Sequence, residues 1–242
     1  MKKKFNKGYC AITPDLDDES SIKSYLDNLS SILLGNKIYL DLIIFRNKSL
    51  EGCQRADLYA FFEECFWDIF QRNGGVIFPH GDGGVIVPQD VKSRHSGLGM
   101  FTPVVWNSGS AEDLFKLPRA HVCGGFHFKS NEIFRVKKSQ INDFLKRVEE
   151  DIWALDEKYI FGCSCHNEAD LIRANELELD YCLLSPIKSK NKKFPNIDWS
   201  TFSELISRSS IPVFALGGLE LSDLKVSKEY GASGIAGISM FT

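Results

Sequence analysis

Short apolar runs of strand length alternate along the chain with longer stretches whose apolar residues recur every three or four positions. This alternation is typical of a parallel sheet covered by helices. Eight strands are predicted, at residues 9–13, 37–45, 76–78, 121–128, 159–162, 181–184, 212–216 and 234–238. Seven helices are predicted between them, at residues 21–34, 55–72, 111–117, 139–155, 168–177, 198–208 and 221–230. The sequence shows no internal repeat and no linker, so we predict one α/β domain over residues 1–242. Its predicted fold is a (β/α)8 TIM barrel with a missing or very short last helix.

Residues 79–108 break this regularity. Glycines, prolines and short β-branched runs mix there without a period, which predicts a long insertion after the third strand. Residues 85–87 and 104–106 are interpreted as a small extra hairpin within it. A loop of this length is often an active-site lid or a binding loop, and a decorative insertion is the alternative.

The composition narrows the class of protein. A net charge of −3 over 242 residues argues against a nucleic-acid-binding protein. No apolar run is long enough to span a bilayer, and no signal-peptide core follows the basic start, so we expect a cytoplasmic protein without a membrane partner. The seven cysteines are odd in number and mostly lie in apolar runs, which predicts reduced, buried thiols rather than a metal site.

Glycine-rich sequences follow the last two predicted strands. Gly217 and Gly218 come after the seventh strand, and Gly237, Ile238 and Ser239 close the eighth. Paired glycines let backbone amides approach an anion without side chains in the way. Because the loops after strands seven and eight are the recurring phosphate site of such barrels, we predict a phosphate site here. The alternative is that Gly217 and Gly218 only form a tight turn.

Basic residues follow the second and sixth predicted strands. Arg46 and Lys48 end a buried strand with alternate spacing, so both can face the same side. After strand six comes a run with Lys188, Lys190, Lys192 and Lys193. Together these side chains are predicted to hold a diphosphate or a second phosphate at the barrel mouth. For the lysine run alone, a solvated surface loop is the alternative.

Three histidines fall at predicted strand ends. His166 follows the fifth strand, and His80 and His127 follow or end the third and fourth. Imidazole exchanges protons near neutral pH, so His166 is a candidate acid or base. A purely structural role is the alternative for each of them.

Four motifs in the last third of the chain resemble the thiamine phosphate synthase/TenI family. They match in order and spacing: Gly-Cys-Ser-Cys-His at 162–166, Asp-Tyr-Cys-Leu-Leu-Ser-Pro at 180–186, Pro-Val-Phe-Ala-Leu-Gly-Gly at 212–218 and Gly-Ala-Ser-Gly-Ile-Ala-Gly-Ile-Ser at 231–239. The likeness is greatest to the synthase-like domains found fused to Nudix hydrolases, here standing without a Nudix segment. The amino-terminal half is similar more loosely, through residues 9–14, 44–48 and 124–127.

The resemblance implies a (β/α)8 barrel and an enzyme of thiamine biosynthesis. The family's synthases are transferases that couple a pyrimidine diphosphate to a thiazole phosphate with Mg²⁺, and its TenI-type members isomerise a thiazole carboxylate phosphate. By resemblance, the thiazole-phosphate site falls on Gly218, Ile238 and Ser239, and the diphosphate-binding pair on Arg46 and Lys48.

Further family roles fall on the loops after strands five and six. By resemblance, Ser164 is a pyrimidine-contacting serine and His166 is the acid/base of the tautomerase. One of Lys192 and Lys193 falls on the loop lysine that holds the diphosphate.

Three positions depart from the synthase pattern. The glutamine of the Gln-x-Arg-x-Lys motif is Ile44 here, the Asn-Asp pair after strand three is replaced by Pro-His at 79–80, and the magnesium aspartate before Gly-x-His falls on Gly124. Asp82 is an alternative ligand. The sequence therefore leaves the metal ligands unknown, although Mg²⁺ is expected if the chain is a true synthase.

Three hypotheses remain open. The first is a synthase, the second a TenI-like thiazole tautomerase that uses His166, and the third a non-catalytic protein that binds thiazole phosphate or thiamine phosphate and has lost the metal site. The second and third need no cofactor. All three take small phosphorylated partners, namely thiazole phosphate, pyrimidine diphosphate or thiamine phosphate, and leave a homo-oligomer open.

Overall fold

The apolar runs form eight short parallel strands that close into a barrel. In this computed structural model each strand pairs with the next along the chain, and the eighth pairs with the first. The strands are β1 Tyr9–Ile12, β2 Leu42–Phe45, β3 Val104–Ser108, β4 Gly125–Phe128, β5 Ile160–Cys165, β6 Tyr181–Leu184, β7 Val213–Leu216 and β8 Gly234–Gly237. The predicted TIM-barrel fold is confirmed.

The structure describes Phe5 and residues 7–48, 52–72, 104–108, 125–151, 160–190 and 195–242. The strand predicted at 76–78 and the helix predicted at 111–117 lie outside these residues. That all of 1–242 forms one domain stays a prediction. In the described ranges, every helix is too short or too polar to cross a membrane.

In the ranges that the structure describes, six α-helices cover the barrel. They are α1 Glu19–Asn36, α2 Gly52–Arg72, α3 Lys138–Asp151, α4 Glu168–Glu176, α5 Trp199–Ser207 and α6 Leu224–Glu229. Three of the helix starts follow from local capping: the side chains of Asp18, Asn167 and Asp198 accept hydrogen bonds from amides in the first turns of α1, α4 and α5.

Two apolar layers hold the barrel together, because successive strand residues point to opposite faces. The layer inside the barrel, here called the inner cluster, contains Cys10, Ile12, Leu42, Ile44, Ile160, Tyr181, Leu183, Phe214 and Ala236. The alternate strand residues, such as Phe126, Phe161 and Cys182, pack outward under the helices. The inner series continues past the strand ends to Ile238, which packs on the inner cluster from the carboxyl side.

The third strand is not where the sequence pattern put it. Val104–Ser108 pairs with β2 on one side and β4 on the other, through Ile43 with Val104 and Trp106 with Phe126. The extra hairpin predicted at 104–106 is therefore wrong. The long irregular segment lies between α2 and β3, so its predicted place after the third strand is also wrong.

A three-residue 3₁₀ turn, Ser239–Phe241, follows β8 directly, and Phe241 is fully buried in the outer layer. That the last helix is missing or very short stays a prediction. The turn leaves Ser239 at the carboxyl end of β8, where such barrels bind ligands.

Candidate functional site

The predicted phosphate residues come together at the carboxyl ends of β7 and β8. Leu216 pairs with Ala236, so Gly218 and Ile238 each lie two residues beyond a paired position on neighbouring strands. Gly218 and Ser239 are exposed at this end of the barrel. The register thus places both glycine-rich sequences at one edge of the mouth.

The turn after β7 needs glycine for two separate reasons. Gly217 and Gly218 have φ angles of 107° and 69°, which side-chain-bearing residues rarely adopt. A Cβ at Gly218 would lie 2.2 Å from the carbonyl oxygen of Lys188. The amides of Ile187 and Lys188 also donate to the carbonyls of Leu216 and Gly217. The tight turn considered as the alternative is therefore real, and it packs against the loop after β6.

Three amides at this edge of the mouth are candidates for binding an anion. In the part of the chain that the structure describes, no backbone hydrogen bond uses the N–H groups of Gly218, Leu219 or Ser239. Amides without a backbone acceptor at the ends of adjacent strands form the kind of concavity that binds phosphate. The geometry therefore supports a phosphate cup and a structural turn at the same place.

The loop after β1 fixes the predicted diphosphate pair after β2. The Arg46 amide donates to the Thr13 hydroxyl at 2.8 Å, and the Lys48 amide donates to an Asp15 carboxylate oxygen at 2.8 Å. The other carboxylate oxygen lies 3.6 Å from the Arg46 guanidinium. Arg46 is half-buried and Lys48 is exposed. Two cations thus lie at the mouth, with part of the Arg46 charge balanced by Asp15.

The lysine run after β6 is only partly described. Lys190 is exposed, and the Lys188 ammonium donates to Asp223 at 2.6 Å. Lys188 is therefore engaged in an ion pair with the turn that precedes α6. Lys192 and Lys193 lie outside the described residues, so their role stays a prediction.

His166 is held between β5, β6 and the start of α4. Its amide donates to the buried Asp170 carboxylate at 2.8 Å. Its Nδ1 lies 3.0 Å from the Ser185 carbonyl oxygen and 3.2 Å from the Ser185 hydroxyl. A carbonyl can only accept, so Nδ1 carries the proton and the neutral ring has its lone pair on Nε2. That is the form a general base requires.

His127 and Ser164 join in a second network inside the barrel. His127 Nε2 lies 3.0 Å from the Ser164 hydroxyl, and its Nδ1 lies 2.9 Å from the Tyr181 hydroxyl. Burial lowers the pKa of His127 from 6.5 to about 3, so the ring is neutral. Sequence reasoning named Ser164 and His127 separately and missed Tyr181.

A glycine makes room for Tyr181. A Cβ at Gly162 would lie 2.2 Å from the Tyr181 ring, and the two residues are paired across β5 and β6. The sequence signal for an inward-facing Tyr181 is a glycine on one predicted strand and a tyrosine on the next. The signal can be used only once the pairing register of the two strands is known.

Three strand cysteines, Cys163, Cys165 and Cys182, lie on the outward face of β5 and β6. Cys163 and Cys165 point outward with their Sγ atoms 3.5 Å apart, and both are buried. Cys10, Cys65, Cys163, Cys165 and Cys182 are all free thiols. Reduced thiols were expected for these positions.

The described residues contain no ready cluster of metal ligands: across those ranges, no three His, Cys, Asp or Glu side chains come together. Asp15, a carboxylate at the mouth, accepts from the Lys48 amide and pairs with Arg46. His80, Asp82 and Gly124, the positions weighed in the sequence, lie outside the described residues.

Comparison with known proteins covers mainly the carboxyl-terminal part. Residues 145–241 match the family model described as thiamine monophosphate synthase. A putative thiamine-phosphate synthase 2 of Aquifex aeolicus is 37% identical over 89 residues, which are 36% of this chain and 48% of that protein. A thiamine-phosphate synthase of Pediococcus pentosaceus is 33% identical over 110 residues, 44% of this chain and 48% of that protein. The chain thus spans about half the length of these curated relatives.

The likeness in fold extends further than the likeness in sequence. A thiamine phosphate pyrophosphorylase from Pyrococcus furiosus superposes with a TM-score of 0.58 at 14% identity, covering 98% of this chain and 90% of the other. At that identity the superposition supports the barrel fold alone.

Proposed function

Since residues 145–241 match the family model of thiamine monophosphate synthase, we propose that this chain is a thiamine phosphate synthase-like enzyme. It joins a pyrimidine diphosphate to a thiazole phosphate and releases diphosphate. The observation that carries the proposal is the pairing of two anion-binding ends on one barrel mouth. The amides after β7 and β8 form one end, and Arg46 and Lys48 after β2 form the other.

The glycine end takes the thiazole phosphate in this proposal. The amides of Gly218, Leu219 and Ser239 donate to its phosphate oxygens, and Gly217, Gly237 and Ile238 shape the same edge. Hydrogen bonds to a charged acceptor contribute about 1.5–3 kcal/mol each, so three of them contribute about 5–9 kcal/mol to phosphate binding. The phosphate then orients the thiazole ring inward, over the apolar Ile238.

The basic end stabilises the departing diphosphate. Bond cleavage at the pyrimidine methylene develops negative charge on the leaving oxygen, and the Arg46 guanidinium and Lys48 ammonium lie on the side where it departs. Lys190, Lys192 and Lys193, which follow β6 in the sequence, add positive charge for the same diphosphate in this proposal. Mg²⁺ stays an expectation for a true synthase.

A second function is favoured by the geometry of His166. With Nδ1–H donating to the Ser185 carbonyl, Nε2 is the basic atom of the ring. That arrangement suits a TenI-like tautomerase, in which His166 moves a proton on a bound thiazole carboxylate phosphate.

One set of assays separates the two functions. Purified protein is incubated with pyrimidine diphosphate, thiazole phosphate and Mg²⁺, and thiamine phosphate is measured; Arg46→Ala should lower its formation at least tenfold. The exposed Arg147→Ala on α3 is the matched control and should leave it unchanged. No thiamine phosphate from the wild type would refute the synthase.

Thiazole isomerisation by wild type, His166→Gln and His166→Ala tests the second function. Glutamine retains a donor toward Ser185 and cannot take up a proton. Equal rates in all three proteins would refute a base at His166. Loss in both variants, without thiamine phosphate synthesis by the wild type, would identify the tautomerase.

The proposal also covers the partners and the cellular location of the enzyme. Its partners are small phosphorylated molecules rather than nucleic acid. The cytoplasmic location and the open question of a homo-oligomer stand as they were predicted from the sequence. The reduced thiols support an intracellular compartment.

A further inference from the structure

A chain of three polar groups lies among the apolar side chains of the inner cluster. It runs from the Tyr181 hydroxyl to His127 and on to the Ser164 hydroxyl, with distances of 2.9 and 3.0 Å. Tyr181 is fully buried and His127 is 2% exposed, whereas Ser164, near the carboxyl end of β5, is partly exposed. The chain therefore connects the deep interior with the mouth.

Apolar rings pack against the ring of Tyr181. Its ring meets the rings of Phe5 and Phe214 edge-on, and both are apolar. Among the described residues, its hydroxyl forms a hydrogen bond with Nδ1 of His127. A buried hydroxyl proton without an acceptor is costly, so the Tyr181 O–H donates to Nδ1.

The direction of the second hydrogen bond then follows. A neutral imidazole has one N–H and one lone pair. If Nδ1 accepts from Tyr181, Nε2 carries the proton and donates to the Ser164 oxygen. The Ser164 hydroxyl proton is then available to point toward the mouth.

We infer that Tyr181 sets the tautomer of His127 and thereby makes Ser164 a hydrogen-bond donor to the ligand in the barrel. Tyr181 and His127 are positioning residues in this account, since neither reaches the reacting atoms. The inference rests on the proposed function for the identity of the ligand. It adds that the ligand group facing Ser164 is an acceptor, such as an unprotonated ring nitrogen of a heteroaromatic substrate, and not an N–H.

Nitrogen NMR of the histidine rings tests the tautomer of His127 without an activity assay. The five histidines are labelled with ¹⁵N, and the signals of His127 are those that disappear in the His127→Gln variant. At pH 7 we expect Nε2 protonated and Nδ1 unprotonated. A protonated Nδ1, alone or together with Nε2, overturns the inference.

Substitution of the tyrosine tests the cause. Tyr181→Phe keeps the ring against Gly162 and removes the hydroxyl, so His127 should lose the single Nε2–H tautomer. Tyr25→Phe is the matched control, because Tyr25 is a buried tyrosine whose hydroxyl has no described partner; it should leave the His127 signals unchanged. An unchanged tautomer in Tyr181→Phe overturns the role of Tyr181, and if that variant fails to fold, the wild-type spectrum still decides the tautomer.

Ligand discrimination tests the consequence. The wild type should bind a pyrimidine better than an analogue with C–H in place of the acceptor nitrogen, by about tenfold for one hydrogen bond. Tyr181→Phe should reduce that ratio several-fold while phosphate binding at the glycine end persists. Equal binding of the two compounds by the wild type contradicts the inference, whereas absence of binding by both together with the expected tautomer contradicts the proposed function instead.

Discussion

Replacing Gly218 with alanine tests whether the turn after β7 both stabilises the fold and binds phosphate. The backbone there has a φ of 69°, and a side chain in this left-handed region costs about 1–2 kcal/mol. The added Cβ would also lie 2.2 Å from the Lys188 carbonyl oxygen. Relieving such an overlap with backbone costs about 1–3 kcal/mol. Gly218→Ala should therefore lower the free energy of unfolding by about 2–5 kcal/mol.

Two other glycines separate these contributions. Gly231 has a φ of 88°, and the nearest atom to an added Cβ is the flexible end of Ile206 at 3.3 Å, so Gly231→Ala carries the backbone strain with little overlap. Gly35 lies in α1 with nothing within 4 Å of an added Cβ. Gly35→Ala should be neutral or stabilise the protein by up to about 1 kcal/mol.

The assay is urea unfolding of the three variants, followed by calorimetric titration with inorganic phosphate or thiazole phosphate. We expect Gly218→Ala to lose more stability than Gly231→Ala and, unlike it, to lose phosphate affinity at least tenfold. Equal stability losses in the two variants would refute the close approach to Lys188. Unchanged phosphate affinity in a folded Gly218→Ala protein would refute the cup.

Two further predictions concern charge. Because the pKa of His127 is about 3 in the folded protein and about 6.5 when unfolded, the unfolded chain alone takes up a proton below pH 6.5. The free energy of unfolding should fall by about 1.4 kcal/mol per pH unit from this group between about pH 6 and pH 3, and His127→Gln should flatten that slope; an unchanged slope argues against a buried neutral ring. Asp15→Asn should change stability by less than about 1 kcal/mol, since the pair with Arg46 is partly exposed. It should also tighten pyrophosphate binding measured by calorimetry, whereas weaker binding would mean that Asp15 positions Arg46 rather than competing for it.

Much of the carboxyl-terminal half of the fold was predictable because its strands and helices are marked by local signals. The strand predicted at 181–184 coincides with β6, and the helix predicted at 168–177 corresponds to α4. Proline follows β6 within two residues and glycines follow β7, so their ends were clear, whereas β5 runs to Cys165, three residues past its predicted end.

The third strand could not be predicted from its own residues. Residues 76–78 and 104–106 are both short and apolar, and strands buried on both faces have no alternation to set them apart. Only pairing with β2 and β4 distinguishes Val104–Ser108. This is a contact between distant parts of the chain.

In the candidate site, too, the positions given by local signals were predicted, and the contacts between distant residues were not. The candidate phosphate, diphosphate and serine positions that are described lie at the predicted end of the barrel. Their partners were missed because they are remote in sequence: Lys188 pairs with Asp223, and His127 with Tyr181. The tyrosine sits in an apolar run, where a polar role for its hydroxyl leaves no local trace.

The central claim is that this barrel recognises a phosphorylated thiazole through backbone amides at the ends of β7 and β8. The most direct test is calorimetric titration of the wild-type protein with thiazole phosphate and with the same thiazole alcohol lacking phosphate. The account predicts that the phosphate ester binds at least a hundredfold more tightly, since two charge-assisted hydrogen bonds contribute about 3 kcal/mol or more. Equal affinity for the two compounds, or no heat from either, would contradict it.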